Sequence, residues 1–345
     1  MGDVFAKVRL AAVQAAPIFL NRKATVDKAI ALIKQAGANG ADIVGFPENF
    51  IPGHPLWYYY DLPSSDRSMS FATELYKNAV VIESDDVGRL CRAAADASTY
   101  VIIGLTEKQA NQTGGMFNTQ LFIGRDGRII GKHQKLVPTI TEKLVHMGGS
   151  ARFLRAVETD FGPVSGLICG ENSNPLALMA ICADYPTVHV ASWPSHFRPS
   201  RETSIHQPMV LASRNVAYMC KCFVISAAST VSPDMVEMLA RTDDDRAFLL
   251  DSKMTGGSSI IDPRGKVIAG PLDGDREQIL YADVDLEACV TWRLVHDFAG
   301  GYNRPDQLQL VINESDQRSV VRSFRNGFDD GSFDASDDPE ASSAG

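Results

Sequence analysis

The sequence predicts an α/β fold in which helices cover a mixed β-sheet. Three observations point to it. Short β-rich runs alternate with helical stretches, which is the pattern of βα units. Two tight turns that end in glycine, at 125–127 and 263–265, separate β-rich runs and predict antiparallel hairpins. Hydrophobic residues make up 45% of the 345 residues, which is enough to fill a large core.

Apolar periodicity and turn residues assign the individual elements. Apolar side chains recur at helical spacing in the first helical stretch, which Gly37 can end, and Asp85 or Asp86 caps a later helix. The predicted helices are 23–36, one within 74–97, 175–183, 204–219 and 286–294. The predicted strands are 8–14, 42–46, 101–105, 118–123, 128–131, 164–169, 188–193, 222–227, 258–261, 266–269 and 278–284.

Charge and composition divide the chain into a large domain and a tail. No linker or repeat interrupts 1–310, so one domain is expected there, followed by a C-terminal extension at 311–325 that we expect at a subunit interface. The segment 326–345 is acidic and expected to be disordered. It accounts for six of the nine net negative charges. The remainder is nearly balanced and has no net basic footprint for nucleic acid.

The sequence also indicates in which cellular compartment the protein is expected. No run of about 18 uncharged apolar residues is present, so no membrane span is expected. The N-terminal residues lack the features of a signal peptide, which favours a cytoplasmic protein. The six cysteines are then expected as free thiols, and none has the CxxC spacing of a metal site.

Three predicted strands lead into residues that can carry out chemistry, at positions where α/β folds collect their active sites. Glu48 follows a strand and is either a general base or a solvated loop residue. Lys135 also leaves a strand and is either a catalytic cation or a surface lysine. Cys169 ends a strand before Gly170, where backbone N–H groups can support a thiolate, unless the thiol is merely buried in the core.

Together these three residues form a complete set for catalysis by a cysteine. Such a nucleophile needs a base to take its proton and a cation to stabilise developing negative charge. Glu48 and Lys135 would supply those roles for Cys169. His54 and His133 lie beside the same segments and compete with Glu48 as the base. The other five cysteines are expected to pack in the core.

Four segments carry a family resemblance. They are FPENFIPGHP at 46–55, HQKLVPT at 133–139, GLICGENSNP at 166–175 and YNRPD at 302–306. In their order and spacing they resemble the nitrilase branch of the carbon–nitrogen hydrolase superfamily. The resemblance extends from about Val8 to Asp306, which is most of the chain.

The resemblance implies a four-layer α-β-β-α sandwich of the nitrilase type with mixed sheets. It implies dimers that build larger spiral homo-oligomers, and no metal or organic cofactor. The Glu–Lys–Cys triad of the family falls on Glu48, Lys135 and Cys169, and its second glutamate falls on Glu142. Many nitrilases have Trp directly after the cysteine; Gly170 stands there in this chain, a departure that bears on substrate preference.

The implied reaction converts an organic nitrile into a carboxylic acid and ammonia through a thioimidate and a thioester on Cys169. The backbone N–H of Gly170 is expected to help stabilise charge on the former nitrile nitrogen. Trp57, Tyr58 and Trp193 are candidate pocket walls for an apolar or aryl nitrile. In the alternative interpretation, the aromatic run 57–60 packs in the core or at a subunit interface.

Other functions remain open at this point. An aliphatic amidase or a cyanide-hydrolysing enzyme could use the same triad. A non-catalytic, assembly-forming scaffold is a third alternative, although the intact triad argues against it. A serine amidase is weaker, because the segment 256–259 lacks a matching Lys–Ser framework. No strand is followed by GxGxxG, which disfavours a nicotinamide enzyme.

Overall fold

The computed structural model describes residues 2–197 and 204–315. Its strands are β1 (Lys7–Gln14), β2 (Ile43–Gly45), β3 (Tyr100–Lys108), β4 (Met116–Ile123), β5 (Ile129–Gln134), β6 (Val164–Ile168), β7 (Val188–Trp193), β8 (Phe223–Ala228), β9 (Ser259–Ile261), β10 (Val267–Ala269) and β11 (Gln278–Asp285). Its α-helices are α1 (Arg22–Ala38), α2 (Asp66–Asn78), α3 (Asp85–Ala97), α4 (Pro175–Ala183), α5 (His206–Cys220), α6 (Pro233–Leu239), α7 (Asp243–Leu250) and α8 (Glu287–Val295). Short 3₁₀ helices span Leu56–Tyr59, Ile140–Leu144, Ala151–Phe153 and Cys169–Ser173.

The strands form two mixed sheets. The six-stranded sheet has the order β11-β1-β2-β3-β4-β5, in which β1, β2 and β3 are parallel and the other pairings are antiparallel. The five-stranded sheet has the order β10-β9-β8-β7-β6, in which β6, β7 and β8 are parallel. Both predicted hairpin turns join antiparallel neighbours, β4 with β5 and β9 with β10.

The two sheets pack face to face, and helices cover their outer faces. Leu10 and Ile102 of the first sheet share a buried cluster with Val190 and Ile225 of the second. Buried residues of α1 and α3 pack on the outside of the first sheet, and those of α4 and α5 pack on the outside of the second. This arrangement is the four-layer α-β-β-α sandwich, so the predicted fold class is confirmed.

Three helices of the structure differ from the sequence prediction. Helices α6 and α7 were not predicted, and α2 overlaps only the start of the predicted segment 74–97. All three begin at capping residues, Ser65, Ser232 and Thr242, whose side chains accept a hydrogen bond from a first-turn N–H. Helices α6 and α7 have only 7 and 8 residues, which is too short for apolar periodicity to distinguish a helix from a loop.

The described residues up to Glu314 form one compact unit. Part of the expected C-terminal extension belongs to this unit, because Ile312 packs on the cluster under α4 and α5 and Glu314 pairs with Arg155 at 2.8 Å. The rest of the extension and the acidic segment 326–345 lie outside the described residues, so the predicted boundaries stay predictions. Within the described ranges, no helix combines the length and the apolar character that crossing a membrane requires.

Candidate active site

Glu48 lies in the loop after β2, where the two sheets meet. Its backbone N–H donates to the carbonyl of Trp193 at the end of β7, at 3.1 Å. The loop lies directly on β3, because Gly104 there has no side chain: a Cβ at that position would lie 2.2 Å from the Pro47 carbonyl oxygen. The carboxylate of Glu48 is consequently buried, with 1% of the residue exposed.

Lys135 follows β5 and is equally buried, with 1% of the residue exposed. Its backbone N–H continues the sheet ladder by donating to the carbonyl of Asn118 on β4, at 2.8 Å. The chain then turns into the 3₁₀ helix that carries Glu142. Burial of a lysine and two glutamates is costly unless they pair, so this placement requires a dedicated site rather than a surface position.

Cys169 stands at the junction of β6 and a 3₁₀ helix, with a φ of +52°. This left-handed conformation is uncommon for a residue with a Cβ. Asn49 and Ile140 also have positive φ, at +45° and +44°. Sharp turns therefore lie next to Glu48 and Glu142 and at Cys169 itself. Such backbone conformations persist where the surrounding structure imposes them, and they cluster at functional sites.

The Lys135 ammonium lies between the two glutamates. Its Nζ is 2.7 Å from Glu48 Oε1 and 2.5 Å from Glu142 Oε2. Asn118, on β4, binds the same two glutamates. Its Nδ2 donates to Glu48 Oε1 at 2.7 Å and to Glu142 Oε1 at 2.8 Å. No role for Asn118 was predicted from the sequence. The signal that could have found it is a run of three polar side chains, 118–120, inside a strand that is otherwise apolar.

The three charged groups set one another's protonation. Burial opposes ionisation of Glu142, but Lys135 and His146 outweigh it and hold the pKa of this carboxyl well below its usual value. Burial likewise opposes the charge on Lys135, but Glu48, Cys169 and Glu142 raise its pKa well above the usual value. The site therefore contains a permanent Lys135–Glu142 ion pair.

The pKa values of Glu48 and Cys169 are both raised above their usual values. Burial, reinforced by Glu142 and opposed by Lys135, raises the pKa of Glu48 to about 7. Burial and the nearby Glu48 raise the pKa of the Cys169 thiol well above its usual value, while Lys135 and the Gly170 N–H oppose this. Glu48 Oε2 has no hydrogen-bond partner among the described residues. A base of this pKa with a free oxygen is suited to take a thiol proton near neutral pH.

Comparison with known proteins identifies the family of this chain. The model of the carbon-nitrogen hydrolase family matches residues 9–294. This chain belongs to the carbon–nitrogen hydrolase family. Its relatives place it in the nitrilase branch: a nitrilase of Bacillus sp. (strain OxB-1) is 34% identical over 92% of this chain and 91% of the relative.

This chain is also similar to an aliphatic nitrilase and to a solved carbon-nitrogen hydrolase. An aliphatic nitrilase of Rhodococcus rhodochrous is 34% identical over 89% of this chain and 82% of the relative. A solved carbon-nitrogen hydrolase from Helicobacter pylori G27 has a TM-score of 0.67 at 19% identity, and covers 87% of this chain and 97% of that one. This structural likeness supports the fold.

The two histidines that compete with Glu48 as the base contact other side chains: His133 pairs with Glu171, and His54 Nδ1 lies 3.3 Å from Asn49 Nδ2. His133 Nε2 lies 2.9 Å from Glu171 Oε2. The Glu171 carboxylate also accepts backbone N–H groups of Leu136 at 2.8 Å and Ile168 at 3.1 Å. Glu171 thereby joins the segment after Lys135 to the strand before Cys169, a role that sequence reasoning missed. His54 Nδ1 is 3.9 Å from Glu48 Oε2, and burial lowers the pKa of His54 to about 3.

Glu48, His54 and Glu142 are close enough to surround a cation. The Lys135 ammonium already lies between the two carboxylates and supplies their positive partner. The two carboxylates are therefore already paired with the ammonium of Lys135, and a metal ion would have to displace it.

The candidate pocket residues have different locations. Trp57 is fully buried and packs against Phe19, Tyr58 and Phe71, with ring centroids 6.4, 5.1 and 5.6 Å away. This position favours the core-packing alternative for Trp57 and its neighbour Tyr58. Trp193 belongs to the same apolar cluster as Cys169.

Tyr59 is an aromatic residue close to Cys169, and it was not distinguished in the sequence from its neighbours in the run 57–60. Burial and the nearby Cys169 raise its pKa above the usual value. Its ring also meets Phe197 edge-on, with centroids 6.1 Å apart. Tyr59 and Phe197 are therefore better placed than Trp57 to contact a substrate.

Because the pKa of Glu48 is raised, the difference in stability between the wild type and Glu48→Gln should depend on pH. Unfolded Glu48 loses its proton near pH 4.5, whereas the folded protein keeps it until about pH 7. The wild type therefore loses stability relative to the non-titrating variant as pH rises through this window, by about 3 kcal/mol. Urea unfolding of both proteins at pH 5 and pH 8 measures the difference. A difference that stays constant between the two pH values would show that Glu48 titrates normally.

Proposed function

We propose that this hydrolase converts an organic nitrile into its carboxylic acid and ammonia, with Cys169 as the nucleophile. The observation that carries the proposal is the Lys135 ammonium held at 2.7 and 2.5 Å between two buried glutamates, beside the half-buried Cys169 thiol. Relatives named as nitrilases across nine-tenths of the chain support a nitrile as the substrate.

Formation of the thioimidate uses Glu48 and Lys135. Glu48 takes the Cys169 proton as the sulfur attacks the nitrile carbon, and the proton passes to the nitrile nitrogen. The product is a thioimidate in which sulfur and carbon are joined. Lys135 and the Gly170 N–H stabilise negative charge as it develops on that nitrogen. Burial destabilises both the thiolate and the carboxylate. Direct proton transfer from Cys169 to Glu48 therefore avoids an isolated buried charge.

Release of the acid needs two waters. Glu48, again a carboxylate, takes a proton from the first water as that water adds to the thioimidate carbon, and it passes this proton to the nitrogen of the resulting tetrahedral intermediate. Expulsion of ammonia leaves a thioester, and the second water releases the carboxylic acid and the thiol. Expulsion of the Cys169 thiol from the tetrahedral intermediate would instead give the amide. Glu142 keeps Lys135 oriented throughout, since it is paired with Lys135 and bound by Asn118.

The space at Gly170 bears on which nitrile is accepted. A Cβ built at this position meets no atom within 4 Å. Gly170 is exposed, so the residue after the nucleophile places no side chain beside the site in this chain. We expect substrates bulkier than acetonitrile to be accepted, with the Trp193 and Tyr59 surroundings favouring an apolar group.

A panel of substrates tests the proposal. Ammonia release is measured from aliphatic, aryl and arylacetonitriles, from acetamide and from cyanide, with acid and amide products quantified in parallel. We expect turnover of nitriles with acid as the main product. Turnover of acetamide without any nitrile would establish an amidase instead, and turnover of cyanide alone would establish a cyanide hydrolase. No turnover by the wild type of any compound would favour the scaffold alternative.

We also propose a cytoplasmic homo-oligomer whose interface includes the layer formed by α4 and α5. Large apolar side chains are exposed in this layer, with Leu176 63% and Leu211 70% exposed. Exposed apolar groups concentrated on one face typically mark an interface. Light scattering that gives the mass of a single chain at micromolar concentration would contradict the oligomer.

A further inference from the structure

His196 is fully buried in the loop that follows β7, and both nitrogens of its ring have a hydroxyl partner. Its Nε2 lies 2.8 Å from the Tyr60 hydroxyl, and its Nδ1 lies 3.0 Å from Ser195 Oγ. A hydroxyl can donate or accept, so both hydrogen bonds form whichever ring nitrogen carries the proton. The contact with Tyr60 joins the loop after β7 to the segment that follows the 3₁₀ helix Leu56–Tyr59.

The ring of His196 also packs against aromatic rings from two other segments. Its centroid is 6.2 Å from that of Tyr59, on the 3₁₀ helix, and 5.7 Å from that of Phe248, on α7. The rings of His196 and Phe248 meet edge-on, at an angle of 76°. Edge contacts between aromatic rings are favourable and have a preferred geometry. The hydrogen bonds and the ring contacts together therefore hold the imidazole in one orientation.

The chain neighbours of His196 and Tyr60 lie close to the nucleophile. Burial and the nearby Cys169 raise the pKa of Tyr59 above its usual value. Phe197 packs on the same apolar cluster as Cys169. The rings of Tyr59 and Phe197 meet edge-on, with centroids 6.1 Å apart and an angle of 89°. These two rings, called the aromatic wall below, form an apolar surface beside Cys169.

The aromatic wall stands on segments with little regular structure of their own. Tyr59 ends a 3₁₀ helix of four residues, and Phe197 lies in the loop after β7. Side chains on such segments keep a precise position only where neighbouring contacts hold the backbone. His196 supplies a contact to both segments. It precedes Phe197 in the chain, and it binds Tyr60, which follows Tyr59.

We propose that His196 is a positioning residue that fixes the aromatic wall through its hydrogen bond to Tyr60, and thereby makes the enzyme prefer nitriles whose side group is large enough to contact the wall. It does not touch the reacting atoms. It acts on the binding of the side group rather than on the chemical steps. Arylalkyl nitriles fit this surface, since aromatic side chains bind apolar groups. The proposal rests on the proposed hydrolysis of nitriles at Cys169.

The selectivity of His196→Phe between a large and a small nitrile tests this role. Phenylalanine keeps a ring at this position but removes both hydrogen bonds. We expect kcat/KM for phenylacetonitrile to fall by about three- to tenfold relative to kcat/KM for propionitrile, the size of effect that loss of a hydrogen bond produces. The change should lie in KM, because the contacts of the side group do not change during the reaction. A merely structural role would lower the activity toward both nitriles alike.

Tyr60→Phe removes the same hydrogen bond from the other side, and it keeps the test available if His196→Phe does not fold. It should shift the selectivity in the same direction. The double variant should shift it no further than His196→Phe alone, because both changes break one contact. An unchanged selectivity in either folded single variant, or additive shifts in the double variant, would overturn the proposal.

Tyr218→Phe is the matched control. The Tyr218 hydroxyl also lies within hydrogen-bond distance of a histidine, at 3.3 Å from His296 Nδ1. This pair joins α5 to the residue after α8, and 42% of Tyr218 is exposed. The control variant should keep the selectivity of the wild type. If it shifted the selectivity as far as Tyr60→Phe does, the effect would not belong to the aromatic wall and the proposal would fail.

Alkylation of Cys169 tests the aromatic wall without any nitrile. Iodoacetamide and N-benzyliodoacetamide each form a thioether with the Cys169 sulfur and release iodide and a proton, and peptide mass spectrometry measures both rates at this residue. We expect the rate with the benzyl reagent, relative to iodoacetamide, to fall by about threefold in Tyr60→Phe. An unchanged or higher relative rate would contradict the proposal and leave nitrile hydrolysis standing. The expected fall, in a protein that releases no ammonia from any nitrile, would leave the role of His196 standing and overturn the proposed function.

Discussion

Replacement of Cys169 by alanine is expected to abolish ammonia release from nitriles, by about 10⁴-fold or more. Alanine cannot form the carbon–sulfur bond that both covalent intermediates require, and no other cysteine is placed to substitute. Cys182, Cys220 and Cys222 are buried outside the glutamate cluster, and Cys289 packs between the sheets. The fold should survive the change, because the turn at Cys169 is held by Asn172 and Glu171 rather than by the sulfur.

Cys91→Ala provides the control for this prediction. Cys91 lies on α3 and packs on the outer face of the six-stranded sheet, away from the glutamates. This variant should release ammonia at the wild-type rate in the same assay. Residual turnover of Cys169→Ala within a factor of ten of the wild type would mean that another residue is the nucleophile.

Lys135→Met is expected to reduce both activity and stability. Loss of the ammonium removes the main stabilisation of charge on the substrate nitrogen, which should lower kcat by about 10³-fold. It also leaves Glu48 and Glu142 buried opposite each other with no lysine between them, which should lower the free energy of unfolding by about 3–5 kcal/mol at pH 8. Chemical denaturation and steady-state ammonia release measure the two effects separately.

Lys132→Met is the matched control, three residues earlier. Its ammonium pairs with Glu107 at 2.5 Å, but its side chain is 24% exposed and the pair lies outside the catalytic cluster. This variant should keep its activity. It should lose less stability than Lys135→Met, because only one carboxylate, Glu107, loses its cation and that carboxylate still accepts from Thr119 and Gln134. If Lys135→Met unfolded no more easily than Lys132→Met, the two glutamates would not depend on Lys135 for their charge balance.

The order of elements and the three principal site residues could be predicted from the sequence because they depend on local patterns. Strands such as β7 and helices such as α4 are marked by apolar runs and by Asn174 and Pro175, the cap and first residue of α4. Glu48, Lys135 and Cys169 each follow such a strand. The division into two sheets depends on which strands pair over long distances, and periodicity alone does not report it.

The remaining parts of the site could not be predicted because they depend on contacts between distant segments. Asn118 binds residues that are 70 and 24 positions away, and Glu171 binds His133 across 38 positions. His146 lies 3.4 Å from Thr106 of β3 only because the turn that follows Glu142 brings it there. Trp57 could not be distinguished from a pocket residue by type, since aromatic side chains serve both pockets and cores.

The most direct test of the central claim is mass spectrometry of the intact enzyme, acid-quenched during turnover of a good nitrile. Covalent catalysis by Cys169 predicts an added mass equal to the thioimidate or thioester of that substrate. Peptide mapping should locate it on Cys169, and the adduct should be absent from Cys169→Ala. Rapid turnover without any adduct on Cys169 at quench times shorter than one catalytic cycle would contradict covalent catalysis by this residue.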